Sequence, residues 1–325
     1  MKDYRIFFKD QLPLDKGTWE PEYDLFISSF NLSDRVEDVF SKVNAKDKHW
    51  IILPDYNISA VEFPEGQYYV SPLEQTSVYN ESDVINDFYY KYLSKIESIN
   101  IESKICIDIT GFIKPYMMYL IALLKTLGYQ CIDFIFSEPN YYSAKQKTKF
   151  SDESVYEVRQ IYGFEGCHNP DTTNDILIIG SGYDDQLIKY ISENKNMTKK
   201  IQIFGFPSLR ADMYQENILR ASKASDSIGR HCGNNPNNYL AAANDPFATA
   251  QVLKEICEIE NNTERVSNIY ISPLATKVQA LGFTLFYLFE KDNYPISIIY
   301  PFCKTHSKRT SAGISRIWRY SIDFD

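Results

Sequence analysis

The chain has 325 residues, 44% of them hydrophobic and 24% charged, the balance of an ordinary globular protein long enough for two modest domains. Its net charge of −9 argues against non-specific coating of nucleic acid, which rests on many Lys and Arg contacts to phosphate. No apolar run reaches the roughly 18 residues that span a bilayer. The N-terminal stretch MKDYRIFFKDQLPLD carries Asp3 and Asp10 where a secretory signal needs an apolar core, so the expectation is a cytoplasmic protein with no membrane partner.

Residues 1–22 offer one short strand, Tyr4 to Phe8, and a lead-in containing Pro13 and Pro21. Asp24 to Ser28 (DLFIS) reads as a strand. Val36, Val39, Phe40 and Val43 then fall at i, i+3, i+4 and i+7 on one helix face. Trp50 to Leu53 returns as a strand and Pro54 closes it. After a loop with an edge strand at Gln67–Val70, Ser82 to Ile99 has the spacing of an amphipathic helix.

Lys104 to Pro139 is the clearest unit. An apolar strand ends at Asp108, the chain turns at Thr110–Gly111, and a nearly all-apolar helix runs from Pro115 to Gly128; Cys131 to Phe136 is the returning strand. A strand covered by helices on both faces reads as a continuous apolar run. The polar segment Asn140–Asp152, with Lys145, Lys147 and Lys149, is the best place for a boundary.

Beyond it, Val155–Ile161 is a strand candidate. Asp175–Ile179, the Gly180–Ser181–Gly182 turn, a helix from Asp184 to about Ser192 and Lys200–Phe204 make a third unit, ending at Pro207. Tyr214–Ala224 is helical, Ser225–Ala243 is a Gly/Asn-rich loop, and Pro246–Glu260 is a helix with Asn244 or Asp245 as N-cap. The fourth unit is Asn268–Ser272, Pro273, a helix to about Glu290 and Ile296–Tyr300 before Pro301, and SRIWRYSIDF alternates as a final strand.

Four strand–turn–helix–strand units, each about as long as one right-handed crossover of about 30 residues, predict an α/β fold of tandem βαβ units. The sheet or sheets are expected to be doubly wound and mainly parallel, in two Rossmann-like halves, 1–152 and 153–325. Six cysteines without a CxxC pair read as reduced thiols in a chain of this size. Neither Cys167–His168 nor His231–Cys232 has the spacing of a tetrahedral zinc site, and no metal or cofactor is expected.

Ligands of open parallel sheets bind outside the carboxyl ends of the strands. Ser28–Ser29, Thr110–Gly111, Ser181–Gly182 and Ser272–Pro273 lie at that edge, where hydroxyls and helix-start N–H groups favour an anion. Lys114 and Lys277 stand at helix starts, where the dipole disfavours a cation by about 0.3–1 kcal/mol; a nearby anion would explain them. Asp184 and Asp185 would repel phosphate and suit a hydroxyl instead. Lys304–Arg319 carries five basic residues, Lys304, Lys308, Arg309, Arg316 and Arg319, and no acid, with His306, Ser307, Thr310, Ser311 and Gly313 as donors.

No GxxxxGK[ST], GxSxG or HExxH occurs, and GSGYDD lacks the third glycine of the dinucleotide fingerprint. The stretches SSFN (Ser28–Asn31) and SPLATK (Ser272–Lys277) resemble the turns of the CRISPR-associated Rossmann-fold family and related prokaryotic defence sensors. That resemblance implies binding of a nucleotide second messenger and action through a protein partner or a homo-oligomer. The ligand-binding set expected is Ser28, Ser29, Asn31, Thr110, Gly111, Ser181, Gly182, Thr276 and Ser311 for hydrogen bonds, and Lys277, Lys304 and Arg309 for charge. The alternatives are an enzyme acting on a nucleotide or sugar phosphate, with Asp108, Asp184 and His306 as acid–base candidates, and a scaffold without a small ligand.

Overall fold

The structure, a computed structural model, describes residues 2–71, 80–142, 155–210, 213–223, 237–308 and 311–325. In chain order, a short 3-10 turn precedes β1 (Phe8–Leu12), β2 (Trp19–Ser29), α1 (Asp34–Lys42), β3 (Val43–Ile52) and β4 (Tyr68–Val70). Next come α2 (Glu81–Lys91), β5 (Ile105–Asp108), α3 (Lys114–Thr126), β6 (Cys131–Tyr142) and β7 (Val155–Gln160). They are followed by β8 (Ile176–Ser181), α4 (Asp185–Asn194), β9 (Lys199–Gly205), α5 (Met213–Lys223), β10 (Asn238–Ala241) and α6 (Pro246–Thr263). The last are β11 (Ile269–Pro273), α7 (Lys277–Glu290), β12 (Ile296–Cys303) and β13 (Ser311–Asp323).

These elements form two compact units, one of Phe7–Glu153 with Lys304–Asp325, the other of Met1–Ile6 with Ser154–Cys303. The first holds a seven-stranded sheet in the order β1-β13-β6-β5-β2-β3-β4, and the second a six-stranded sheet in the order β10-β9-β8-β11-β12-β7. Both sheets are mixed and mostly parallel. β13 is antiparallel to β6 and to β1, and β7 is antiparallel to β12. All four strand–helix–strand repeats close as parallel pairs: β2 with β3, β5 with β6, β8 with β9 and β11 with β12.

Taken in chain order, the five parallel strands of each sheet follow one rule. The first lies in the middle, the next two extend to one side and the last two to the other. The order reverses between β2 and β5 in one unit and between β8 and β11 in the other. A reversal of this kind leaves a crevice outside the strand ends, because the two neighbouring crossovers depart in opposite directions.

The central strands β5, β8, β11 and β12 are buried at every residue. Apolar burial of about 1.5–3 kcal/mol per large side chain accounts for their unbroken hydrophobic runs. α3 and α7 are apolar nearly all round because both are mostly buried. α1 has a single apolar stripe: Val36 and Val39 are fully buried, and Phe40 stacks on Trp50 with ring centroids 3.8 Å apart. α6 and α7 approach closely at Gly282, where any Cβ would overlap the Pro246 carbonyl oxygen.

Several sequence expectations are corrected. Tyr4–Ile6 is a 3-10 turn and the strand follows it, at Phe8–Leu12. The helix expected to Ile99 stops at Lys91 and gives way to a 3-10 turn. Pro139 and Pro301 do not close strands, since β6 and β12 run through them. Each sits beside an antiparallel partner with a register irregularity next to it, which is where a sheet tolerates a residue without an N–H. β10 falls in the stretch read as loop. The segment Lys304–Asp325, read as part of a 153–325 half, belongs with the other unit because β13 pairs with β1 and β6. Lys145, Lys147, Lys149, His231 and Cys232 lie outside the described residues; Cys106, Cys257 and Cys303 are buried and not joined in disulfides.

Candidate ligand site at the carboxyl edges of the sheets

The four turns divide two and two between the sheets, each pair at a reversal point. In the six-stranded unit the turn after β8 meets the turn after β11. A Cβ at Gly182 would overlap the Leu274 carbonyl oxygen, so only glycine allows the two backbones to touch. Ser181 is fully buried and donates its Oγ to Gln202 Oε1 on β9 at 2.8 Å.

Thr276 is the N-cap of α7. Its Oγ1 accepts from the Gln279 N–H at 3.0 Å and donates to the Ala243 carbonyl at 2.7 Å. Lys277 is the first residue of the helix, and no acid occupies the first turn. Two fully buried polar side chains flank this helix start. Ser272 is 0% exposed and Gln279 is 1% exposed, yet among the described residues the Ser272 hydroxyl and both amide atoms of Gln279 have no hydrogen-bond partner. The Gln279 amide lies against Gly205 at the end of β9, its oxygen 3.3 Å from where a Cβ would stand. Asp184 caps α4 by accepting from the Leu187 N–H at 3.4 Å, so its carboxylate is held to its own helix.

In the seven-stranded unit, Ser28 and Asp108 are register partners on β2 and β5. Ser28 donates its Oγ to Asp108 Oδ2 at 3.0 Å, and the Thr110 N–H donates to Asp108 Oδ1 at 2.9 Å. Thr110 Oγ1 accepts from the Ser137 N–H at 3.0 Å. A Cβ at Gly111 would overlap the Ser29 carbonyl oxygen, and the Gly111 carbonyl accepts from Tyr56 Oη at 2.7 Å. Arg35, in the first turn of α1, is 7% exposed and donates to the Ser137 carbonyl and, at 2.8 Å, to Ser311 Oγ.

The loop after β3 adds a titratable group at this edge. Asp55 accepts from Tyr116 Oη at 2.6 Å, and its carbonyl accepts from the His306 N–H at 3.0 Å. His306 Nδ1 lies 3.9 Å from Asp55 Oδ1. Burial pushes the Asp55 carboxyl up to about 6, with the nearby Glu81 charge acting in the same direction and the Tyr116 hydrogen bond opposing it.

No protein-family model and no curated protein matches this chain.

The basic tail is not a cationic loop. Arg316 and Arg319 lie on β13, with Arg316 4.0 Å from Glu138 and Arg319 2.8 Å from Asp10. Lys308 sits 3.2 Å from Glu62. Lys304 is exposed, and Arg309 lies outside the described residues. Among the described residues no group of three or more His, Cys, Asp or Glu side chains is placed to hold a metal, and no helix is long and apolar enough to cross a membrane.

Sequence reading missed Arg35, Asp55, Tyr116, Gln202 and Gln279. Two of these left a signal. Gln279 is a lone amide in the apolar run VQALGF, and Arg35 stands at a helix start as Lys114 and Lys277 do.

Proposed function

We propose that the chain binds an anionic, nucleotide-like ligand at the carboxyl edge of the six-stranded sheet, between β8 and β11. The observation that carries this reading is the orphaned Ser272 hydroxyl and Gln279 amide beside a helix that starts with lysine. Leaving a buried polar group unpaired costs about 1–3 kcal/mol, a penalty that a ligand supplying the missing partners removes. The helix start and Lys277 favour negative charge. Ser272, Gln279 and Lys277 supply the direct contacts, and Thr276, Ser181 and Gly182 shape the cleft. The shared strand order supports two doubly wound, Rossmann-like sheets, with this cleft at a topological switch point.

The same chemistry is what the resemblance to nucleotide-sensing defence proteins implies: a cytoplasmic sensor that changes shape or partner when occupied. Thermal-shift titration against nucleotides and cyclic oligonucleotides tests it, since a ligand of the native state raises the midpoint. A shift lost in Lys277→Ala and Gln279→Leu is expected. The absence of a shift with every nucleotide tried would refute the reading.

A second reading rests on Asp55, whose raised carboxyl stands next to His306 and Tyr116. A carboxyl titrating near pH 6 is suited to general acid–base work. Asp108 and Asp184 are bound into their own turns, so this pair takes over the role the sequence gave to them with His306. Turnover of a nucleotide, followed by mass spectrometry and abolished in Asp55→Asn, would establish the enzyme; no turnover by the native chain would rule it out.

A further inference from the structure

We infer that the seven-stranded unit has a binding site of its own, for a single phosphoryl group, at the start of α1. This goes beyond the proposed cleft and shares no residue with it.

The connection from β2 into α1 leaves three polar side chains incompletely bonded. Ser29 is 0% exposed, Ser33 3% and Asn31 8%, and among the described residues neither serine hydroxyl nor the Asn31 Oδ1 has a hydrogen-bond partner. Ser33 is the N-cap of α1 and makes no side-chain capping bond, although capping is the usual employment of a serine there. Its hydroxyl therefore stands at the positive end of a helix with nothing to bond, and Ser29 stands four residues before it at the end of β2.

The charge of the place supports an anion. The Arg35 guanidinium keeps its proton at any ordinary pH, and it is held in place by the Ser137 carbonyl and the Ser311 hydroxyl. Three carboxylates are close. Asp108 is held by Ser28 and the Thr110 N–H, Asp34 accepts from the Gly313 and Arg35 N–H groups, and Glu37 is the second acid of the first turn of α1. Asp108 and Asp34 are employed within the protein, and Asp34 and Glu37 are exposed to water, whereas the Ser29 and Ser33 hydroxyls are buried. Hydroxyl donors, a helix start and a buried guanidinium beside the β2/β5 reversal point are suited to the oxygens of one phosphoryl group.

The tryptophans make the site separately observable. The chain has three, Trp19, Trp50 and Trp318, and all belong to the seven-stranded unit. Phe30, next to Ser29, packs edge-on to Trp50 with centroids 5.4 Å apart. Pyrophosphate titrated at constant ionic strength into the Gln279→Leu protein, in which the cleft of the other unit is disabled, should give a saturable change in tryptophan fluorescence and a matching calorimetric isotherm. Ser33→Ala and Ser29→Ala are each expected to weaken it about tenfold, and Arg35→Gln to abolish it. If Arg35→Gln does not fold, the two serine variants decide. No saturable binding, or binding unchanged in both serine variants, overturns the proposal. Loss of the response in Gln279→Leu alone, with retention in Ser29→Ala and Ser33→Ala, also overturns it by placing the anion in the other unit.

Discussion

Gln279→Leu separates a ligand-binding amide from a structural one. The side chain is 1% exposed and neither amide atom has a partner, so the ligand-free protein carries the cost of a desolvated amide. Leucine has nearly the same volume and no polar atom, which removes that cost without opening a cavity. The expected gain is about 1–3 kcal/mol, or about 2–4 °C in midpoint per kcal/mol for a body of 150–250 residues. The same substitution removes the ligand contact, so the increment that a ligand adds, RT ln(1 + [L]/Kd), should vanish. Melting the two proteins with and without saturating nucleotide reads both effects. A variant less stable than the native chain, or one that keeps the full ligand-induced shift, would show that the amide serves packing and not binding.

Gly111→Ala places a Cβ on the Ser29 carbonyl oxygen and should cost about 3 kcal/mol or more, measured by urea unfolding of the seven-stranded unit through its tryptophans. Asp55→Asn tests the raised carboxyl. Because the folded value, about 6, lies above the unfolded one, native stability falls as pH rises from about 4 to 6 and is flat above that, a total of about 3 kcal/mol. The variant should lack this fall and be the more stable protein at pH 8 but not at pH 4; parallel pH profiles for the two proteins would refute the assignment. Arg319→Ala removes a two-pronged bond to Asp10 at 3.0 and 2.8 Å, both side chains being less than a third exposed. The expected loss is about 1–3 kcal/mol in the same urea assay, together with faster amide exchange in β1.

The repeats were legible because their periodicities are local. Buried parallel strands are continuous apolar runs, and α3 and α7 announce themselves by being apolar all round. Partners far apart in sequence were not legible. Nothing within SRIWRYSIDF shows that its strand inserts between β1 and β6, so Arg316 and Arg319 looked like free charge, whereas their acids, Glu138 and Asp10, lie far back in the chain. The turns were found from their small residues, but which two share an edge depends on strand order, which spacing does not encode. Gln279 and Arg35 escaped notice because the burial of a polar side chain, and what it then meets, is a property of the folded state alone.

The placement of β13 has a consequence for synthesis on the ribosome. Among the described residues β1 pairs only with β13, and β6 has β13 on its outer side, so the seven-stranded sheet stays open until the chain has been made through Asp323. From Tyr142 to Ser311 the ribosome adds roughly 170 residues, on the order of ten to thirty seconds at 5–20 residues per second. During that interval β6 presents an unpaired edge, a template for mispairing. The six-stranded unit, whose last strand ends at Cys303, is completed before the unit whose strands β1 to β6 precede all of its own. Nascent chains paused before residue 311 are therefore expected to need a holdase at β6, and to lose that need once β13 has emerged.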